Sequence, residues 1–513
     1  MSERTMVISP APTANGDLHL GHIAGPFLAA DVYSRYLRAT GREALLGTGF
    51  QDTSTYVVTT ASRLGMTPQA LVARSAQQIE TTLAAVGIGI DGFTGDDDRF
   101  VKAVLDFLER LYAAGKFRLR SMPFPYSPST GEYLVDGHVR GGCPVCLADG
   151  CAGLCESCGH PVSAGELINP RPALRPDDPV EMREVAVLVL PLEEYRDQLR
   201  EHFESHSAGM RPHMRQVIGE MLSRPLADYP VTYPISWGIP APFPEVAGQV
   251  INPNAEPMAW SIHCTALSAE HRGAALLSED ELWLAGAGTR VVYFLGFDNT
   301  FPFAISGTAM LLACEGRYLL PDQFITNEFY ELNNAKFSTS RGHVVWGKDL
   351  AAQVPRDLIR FHLAATSPEY QRTDFSHAAL ERVAESRLVR PWNRVAETVD
   401  QWVGRGPLPV SERSRQAAAR IVERFAASYE LAGFSLNRSA ETLAEQLLRL
   451  DQWAPRPRDS GDFCHQVEVV LRCAAPLLID LASQALGDTA IPGGEGPAAI
   501  TPVHLPRLAG SPG

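Results

Sequence analysis

His19-Leu20-Gly21-His22 sets two imidazoles three residues apart around a glycine. The apolar run Met6-Val7-Ile8 ahead of it predicts a strand, and Ile23 to Leu37 predicts a helix. A helix N-terminus presents free N–H groups and a positive dipole end to an anion. Gly21 lets that anion approach closely. Imidazoles placed there donate hydrogen bonds to a pentavalent phosphorus and stabilise its charge. Far along the chain, Lys336-Phe337-Ser338-Thr339-Ser340-Arg341-Gly342 combines a lysine, small hydroxyl residues and a glycine. That composition suits a mobile loop folding over a triphosphate. A third cluster is Cys143-Pro144-Val145-Cys146 with Cys155-Glu156-Ser157-Cys158. Each C-x2-C turn aims two thiolates to one side, so four sulfurs close a tetrahedron around Zn2+. With all four ligands from protein the zinc is structural. Cys151 is a fifth cysteine that could replace a ligand.

These groups need a scaffold of several domains, and 513 residues suffice for two to four. A hydrophobic share of 45% and a charged share of 20% are those of an ordinary globular chain. A net charge of −14 does not suggest a general nucleic-acid binder, though a local basic face can coexist with an acidic whole. No apolar run is long enough to span a membrane, and the N-terminus enters a strand directly, which predicts a cytoplasmic protein without a leader. Five of the nine cysteines crowd into residues 143–158, which in that compartment means metal rather than disulfides.

The expected fold class is α/β. Residues 1–116 read as the first half of a doubly wound sheet, and 117–226 as an insertion carrying the cysteines. Residues 227–345 return to the α/β pattern, with Arg290 to Leu295 as a buried strand. Residues 346–382 form a link and 383–488 amphipathic helices, among them Ser439 to Leu450 and Cys464 to Leu486. The Gly/Pro/Ala-rich tail, 489–513, is expected to be flexible.

The two nucleotide motifs together resemble those of class I aminoacyl-tRNA synthetases, and within that class the methionyl-tRNA synthetases: His19 to His22 matches HIGH and Lys336 to Ser340 matches KMSKS. The resemblance covers roughly residues 5–488. It implies a Rossmann-type parallel sheet split by a zinc-knuckle insertion, then an α-helical anticodon-binding-like domain. It implies ATP with Mg2+ and an amino acid as substrates, and an aminoacyl adenylate as product. His19, His22 and Lys336 take the catalytic places. Gly21, Gly296, Asp298, Ser338 and Ser340 take ATP-binding places. Asp52 is the candidate for the amino group and Trp260 for the side-chain pocket.

Around that pocket the chain departs from a methionine enzyme. Ala11 and Thr13 replace a larger apolar residue and a tyrosine. His263 and Cys264 stand for an alanine-proline pair, Asn299 for an isoleucine and Phe303 for a histidine. Tyr233 and Glu397 stand where arginines are expected, and Thr339 replaces the second KMSKS lysine. Unpaired polar groups around a thioether would cost about 1–3 kcal/mol each. The expectation is therefore a ligase with a rewritten pocket, handing its acyl group to a small-molecule nucleophile. The chain is similar to the synthetase-like part of cupin-fused hydrazine synthetases, which esterify an N-hydroxylated amine. No cupin signature is present, so a cupin partner would be a separate chain. A monomer is expected. Two other readings stay open: a working methionine–tRNA ligase, and a non-catalytic pseudo-synthetase binding tRNA or a partner.

Overall fold

The computed structural model describes residues 4–95, 97–337, 342–487, 489–491 and 496–510. Its centre is a five-stranded parallel sheet. The strands are β1 (Arg4–Ile8), β2 (Ala44–Gly49), β3 (Gly92–Thr94) and, beyond a long insertion, β4 (Thr289–Gly296) and β5 (Gln323–Asn327). Their order is β5-β4-β1-β2-β3, with every neighbouring pair parallel. The switch in strand order lies between β1 and β4, where ligands of such sheets bind. Both faces are covered, so β1 and β4 are almost wholly buried.

One face carries α1 (Leu28–Ala39), reached through a π-helical turn at Ile23–Phe27. That turn replaces the straight helix expected from Ile23, because Pro26 cannot donate to the helical ladder. Gly25 lies where any Cβ would collide with the side chain of Asn327, which lets the turn press against the end of β5. The other face carries α2 (Asp98–Ala113) and α3 (Pro257–His271), packed against each other.

The insertion contains a long antiparallel pair, Arg118–Ser127 with Glu181–Pro191, and the cysteine segment between them. The helical C-terminal region follows, including α4 (Arg390–Asp400) and Ser460–Ala474. The helix expected from Cys464 to Leu486 is two helices, interrupted around Pro476. A fully buried ion pair, Arg360 to Asp31 at 2.7 Å, ties the helix Arg356–Ala365 of the link to α1. Arg360 also donates to the carbonyls of Gly87, Pro476 and Leu477, so its guanidinium is well satisfied.

Residues 499–508 of the expected tail pack onto the helical region. Ala499–Ile500 pairs with Leu408–Pro409, and Leu508 exchanges two hydrogen bonds of 2.9 Å with the Asn393 amide. Trp392 Nε1 donates to the Pro506 carbonyl at 2.9 Å. Ile500 and Leu505 supply the apolar contact that a compositional reading of the tail underrates. No helix among the described residues is long and apolar enough to cross a membrane.

Candidate active site

Two adjoining cavities, of about 460 and 440 Å³, lie at the carboxyl ends of the strands and beside the insertion. The first is lined by the loop after β1, by Gln51 after β2, by Gly296 and Asp298 after β4, and by Asn327 to Tyr330 after β5. His19, Gly21, His22 and Lys336 all belong to its wall.

His19 caps the short helix that follows it. Its Nδ1 accepts from the Gly21 N–H at 3.1 Å, and His22 Nδ1 accepts from the His19 N–H at 3.3 Å. Each ring thus spends Nδ1 as an acceptor, which puts its proton on Nε2. The rings stack with centroids 3.9 Å apart. Burial holds both imidazoles neutral, His19 well below the usual range and His22 at about 4. The pair therefore offers two neutral N–H donors at pH 7. Asp17 anchors their loop, accepting from the Leu18 N–H and Thr82 and pairing with Lys348 at 3.1 Å.

The segment just after the second motif is bound to the first through backbone. The Leu20 N–H donates to Val345, and the Gly347 N–H to Leu18. Phe337 stacks on His19 at 4.6 Å. Lys336 pairs with Glu156 of the cysteine segment and lies 5.2 Å from the centre of the Phe329 ring. Ser338 and Ser340 fall outside the described residues. A Cβ on Gly296 would meet the Asp298 carboxylate at 2.6 Å, so the glycine leaves that side chain its place. Burial raises the Asp298 carboxyl to about 6, helped by Glu156 and opposed by Lys336. Asn327 Oδ1 is buried without a hydrogen-bond partner, an acceptor on the same wall.

The sulfurs of Cys143, Cys146, Cys155 and Cys158 all lie within 4.8 Å of one another. The Cys143–Cys158 and Cys146–Cys155 separations are 3.9 and 3.5 Å. A tetrahedral Zn2+ with bonds of about 2.3 Å needs sulfurs about 3.8 Å apart. The four thiols fit that ion. Cys151 is not in this group; its backbone pairs with Gly141 instead.

Of the residues expected around the amino acid, Ala11, Thr13 and Asn299 line the first cavity. Asp52, Trp260, His263, Cys264 and Phe303 line neither cavity. The backbone bridge Thr13–Gln51 puts Gln51 on the wall in place of Asp52, whose carbonyl accepts from Trp237. The turn before α3 provides Pro253 and Asn254, whereas Trp260, a turn further on, is core. His263 faces α2, bonded to Glu279 at 2.6 Å and packed near Phe100. Cys264 donates to the Thr48 carbonyl behind β2, and Phe303 packs on Tyr293. Sequence reasoning missed Gln51, Asp136 and Asn254. The signal available was Asn252-Pro253-Asn254 ahead of Pro257, which marks a helix start at the site.

A parallel sheet with paired nucleotide motifs at its switch point, interrupted by a cysteine knuckle, defines a class I synthetase-type fold. The family described as tRNA synthetases class I (M) matches residues 5–398, and the chain belongs to that family. The chain is 32% identical to a Bacteroides fragilis methionine–tRNA ligase over 392 residues, 75% of this chain and 56% of that protein. It is 31% identical to that of Bifidobacterium animalis subsp. lactis over 445 residues, 82% of this chain and 70% of the relative. Among solved structures, Mycobacterium tuberculosis methionyl-tRNA synthetase bound by methionyl-adenylate has a TM-score of 0.75 at 18% identity, covering 99% of this chain and 100% of that one. That likeness is one of fold. The chain thus spans little more than half of the Bacteroides relative.

Proposed function

We propose that the protein activates an amino acid with ATP as an aminoacyl adenylate. The α-carboxylate attacks the α-phosphorus in line, the bond to the β-phosphate oxygen breaks, and pyrophosphate leaves. The observation that carries this reading is the pair of neutral imidazoles on the same wall as Lys336. Their Nε2–H groups donate to phosphate oxygens as charge accumulates in the transition state. Lys336 leaves Glu156 for the β- and γ-phosphates, and Asp298 binds the ribose hydroxyls. By the family resemblance, Ser338 and Ser340 would contribute to ATP binding. ATP would bring Mg2+, which would supply charge neutralisation at the leaving group, and Cys143, Cys146, Cys155 and Cys158 would hold a structural Zn2+ in the knuckle.

The acyl acceptor in this proposal is a small-molecule nucleophile such as an N-hydroxylated amine, with a separate cupin chain as partner. Two features support it. Asn393 is engaged by the chain's own tail, and the exposed Glu397, one turn along α4, would repel a phosphate. The second reading, a methionine–tRNA ligase, is favoured by the names of the relatives. ATP–pyrophosphate exchange against each amino acid, followed by aminoacylation of total tRNA, separates the two. Efficient charging of methionine tRNA restores the second, and absence of exchange with every amino acid removes both.

A further inference from the structure

The two cavities share three wall residues, Asp136, Leu154 and Asn254. Asp136 therefore stands at the junction between them. It is 8% exposed, its backbone is in the left-handed region at φ 43°, and it accepts from the Asn254 amide at 3.3 Å. A Cβ on Gly153 would strike its carboxylate, so the knuckle closes over it with a glycine.

An α-amino acid brings an ammonium as well as a carboxylate, and its counter-charge must come from the wall. The other acidic groups of the first cavity are engaged. Asp17 pairs with Lys348, Glu156 with Lys336, and Glu328 bonds His213 at 2.7 Å. Asp298 lies on the nucleotide side beside Gly296. Gln51 and Thr13, on the opposite side, are neutral. Among the described residues Asp136 has an amide as its side-chain hydrogen-bond partner, and Tyr233 lies on the wall of the cavity beyond it, where the resemblance leads one to expect an arginine. Burial holds its carboxyl at about 7 against the pull of Arg140. The cavity beyond it is walled by Leu192, Met221, Tyr229 and Phe301, with charged groups toward its rim.

We propose that Asp136 anchors the ammonium of the activated amino acid, and that the cavity beyond it receives a long or aromatic side chain. This rests on the adenylate reading above. A buried carboxylate between the phosphate site and a second chamber fixes the α-carbon at the junction. The carboxylate of the substrate then points to His19 and His22, and its side chain to Tyr229 and Phe301. The chamber volume of about 440 Å³ suits a large side chain.

The test is pyrophosphate exchange in Asp136→Asn, an isosteric change that the left-handed backbone tolerates, since Asn adopts that conformation readily. The expected result is a KM for the amino acid raised at least tenfold with the KM for ATP unchanged. An amino-acid KM unchanged in Asp136→Asn overturns the anchor. Ala227→Trp at the exposed rim of the second cavity provides the independent check. Exchange with long and aromatic amino acids should fall, while alanine exchange stays at the wild-type level. Undiminished exchange with long side chains overturns the assignment of the chamber. If the wild-type chain shows no exchange with any amino acid, the adenylate reading itself has failed, an outcome distinct from either.

Discussion

At the scale of single residues, the proposed reaction rests on the histidine pair. Removing one preorganised donor from a charge-developing site costs about 3 kcal/mol of transition-state stabilisation. His22→Ala should therefore slow exchange more than a hundredfold, and exchange at the wild-type rate would remove His22 from the reaction. The neutral state of the ring makes a second prediction. His22 titrates at about 4 in the folded protein against 6.5 for an ordinary imidazole. Between those values the unfolded chain binds more protons, so stability from this group is complete above pH 6.5 and is lost as pH falls toward 4. An NMR titration of the His22 ring should show no inflection near 6.5; one there would mean that the imidazole is solvated and charged.

At the scale of elements, the cysteine knuckle is a wall as well as a fold. Glu156 and Leu154 line the first cavity, and Gly153 and His160 the second. Metal analysis should find about one zinc per chain, the content of one four-cysteine site. Chelation should raise KM values for ATP and amino acid before the parallel sheet unfolds. Loss of the sheet in the same step would show that the knuckle and the sheet are one cooperative unit. The cysteine spacing and the strand before His19 were legible because local pattern dictates them. The pocket was less legible. Helix α3 is buried nearly all round, so no polar stripe told which turn faces the ligand. His263 and Cys264 looked like pocket residues, yet His263 bonds Glu279 beside the Phe100 ring of α2, and Cys264 donates to the Thr48 carbonyl of β2. Asp136 carried no signal, because its role comes from the meeting of two distant segments.

At the scale of the whole molecule, the tail and the buried Arg360–Asp31 pair join the helical region to itself and to the sheet. Deleting residues 496–513 should uncover Trp392, which is 2% exposed, and strip Asn393 of its backbone partners. The expected outcomes are a lower thermal midpoint and a red shift of tryptophan emission. An unshifted spectrum would mean that the tail does not cover this face. Composition predicted mobility here because it counts glycine and proline, while the stabilising contacts are a few apolar residues and backbone carbonyls.

The order of the parallel sheet has a consequence for biosynthesis. Central strand β1 pairs with β2 on one side and with β4, which begins only at Thr289, on the other. Chains emerge from the ribosome at roughly 5–20 residues per second. For on the order of tens of seconds, then, the apolar edge of β1 waits for a partner not yet made, while the insertion between them is already free to close its own antiparallel pair. Nascent chains arrested before Thr289 should need a chaperone to stay in solution, and those arrested well beyond Asn327 should not.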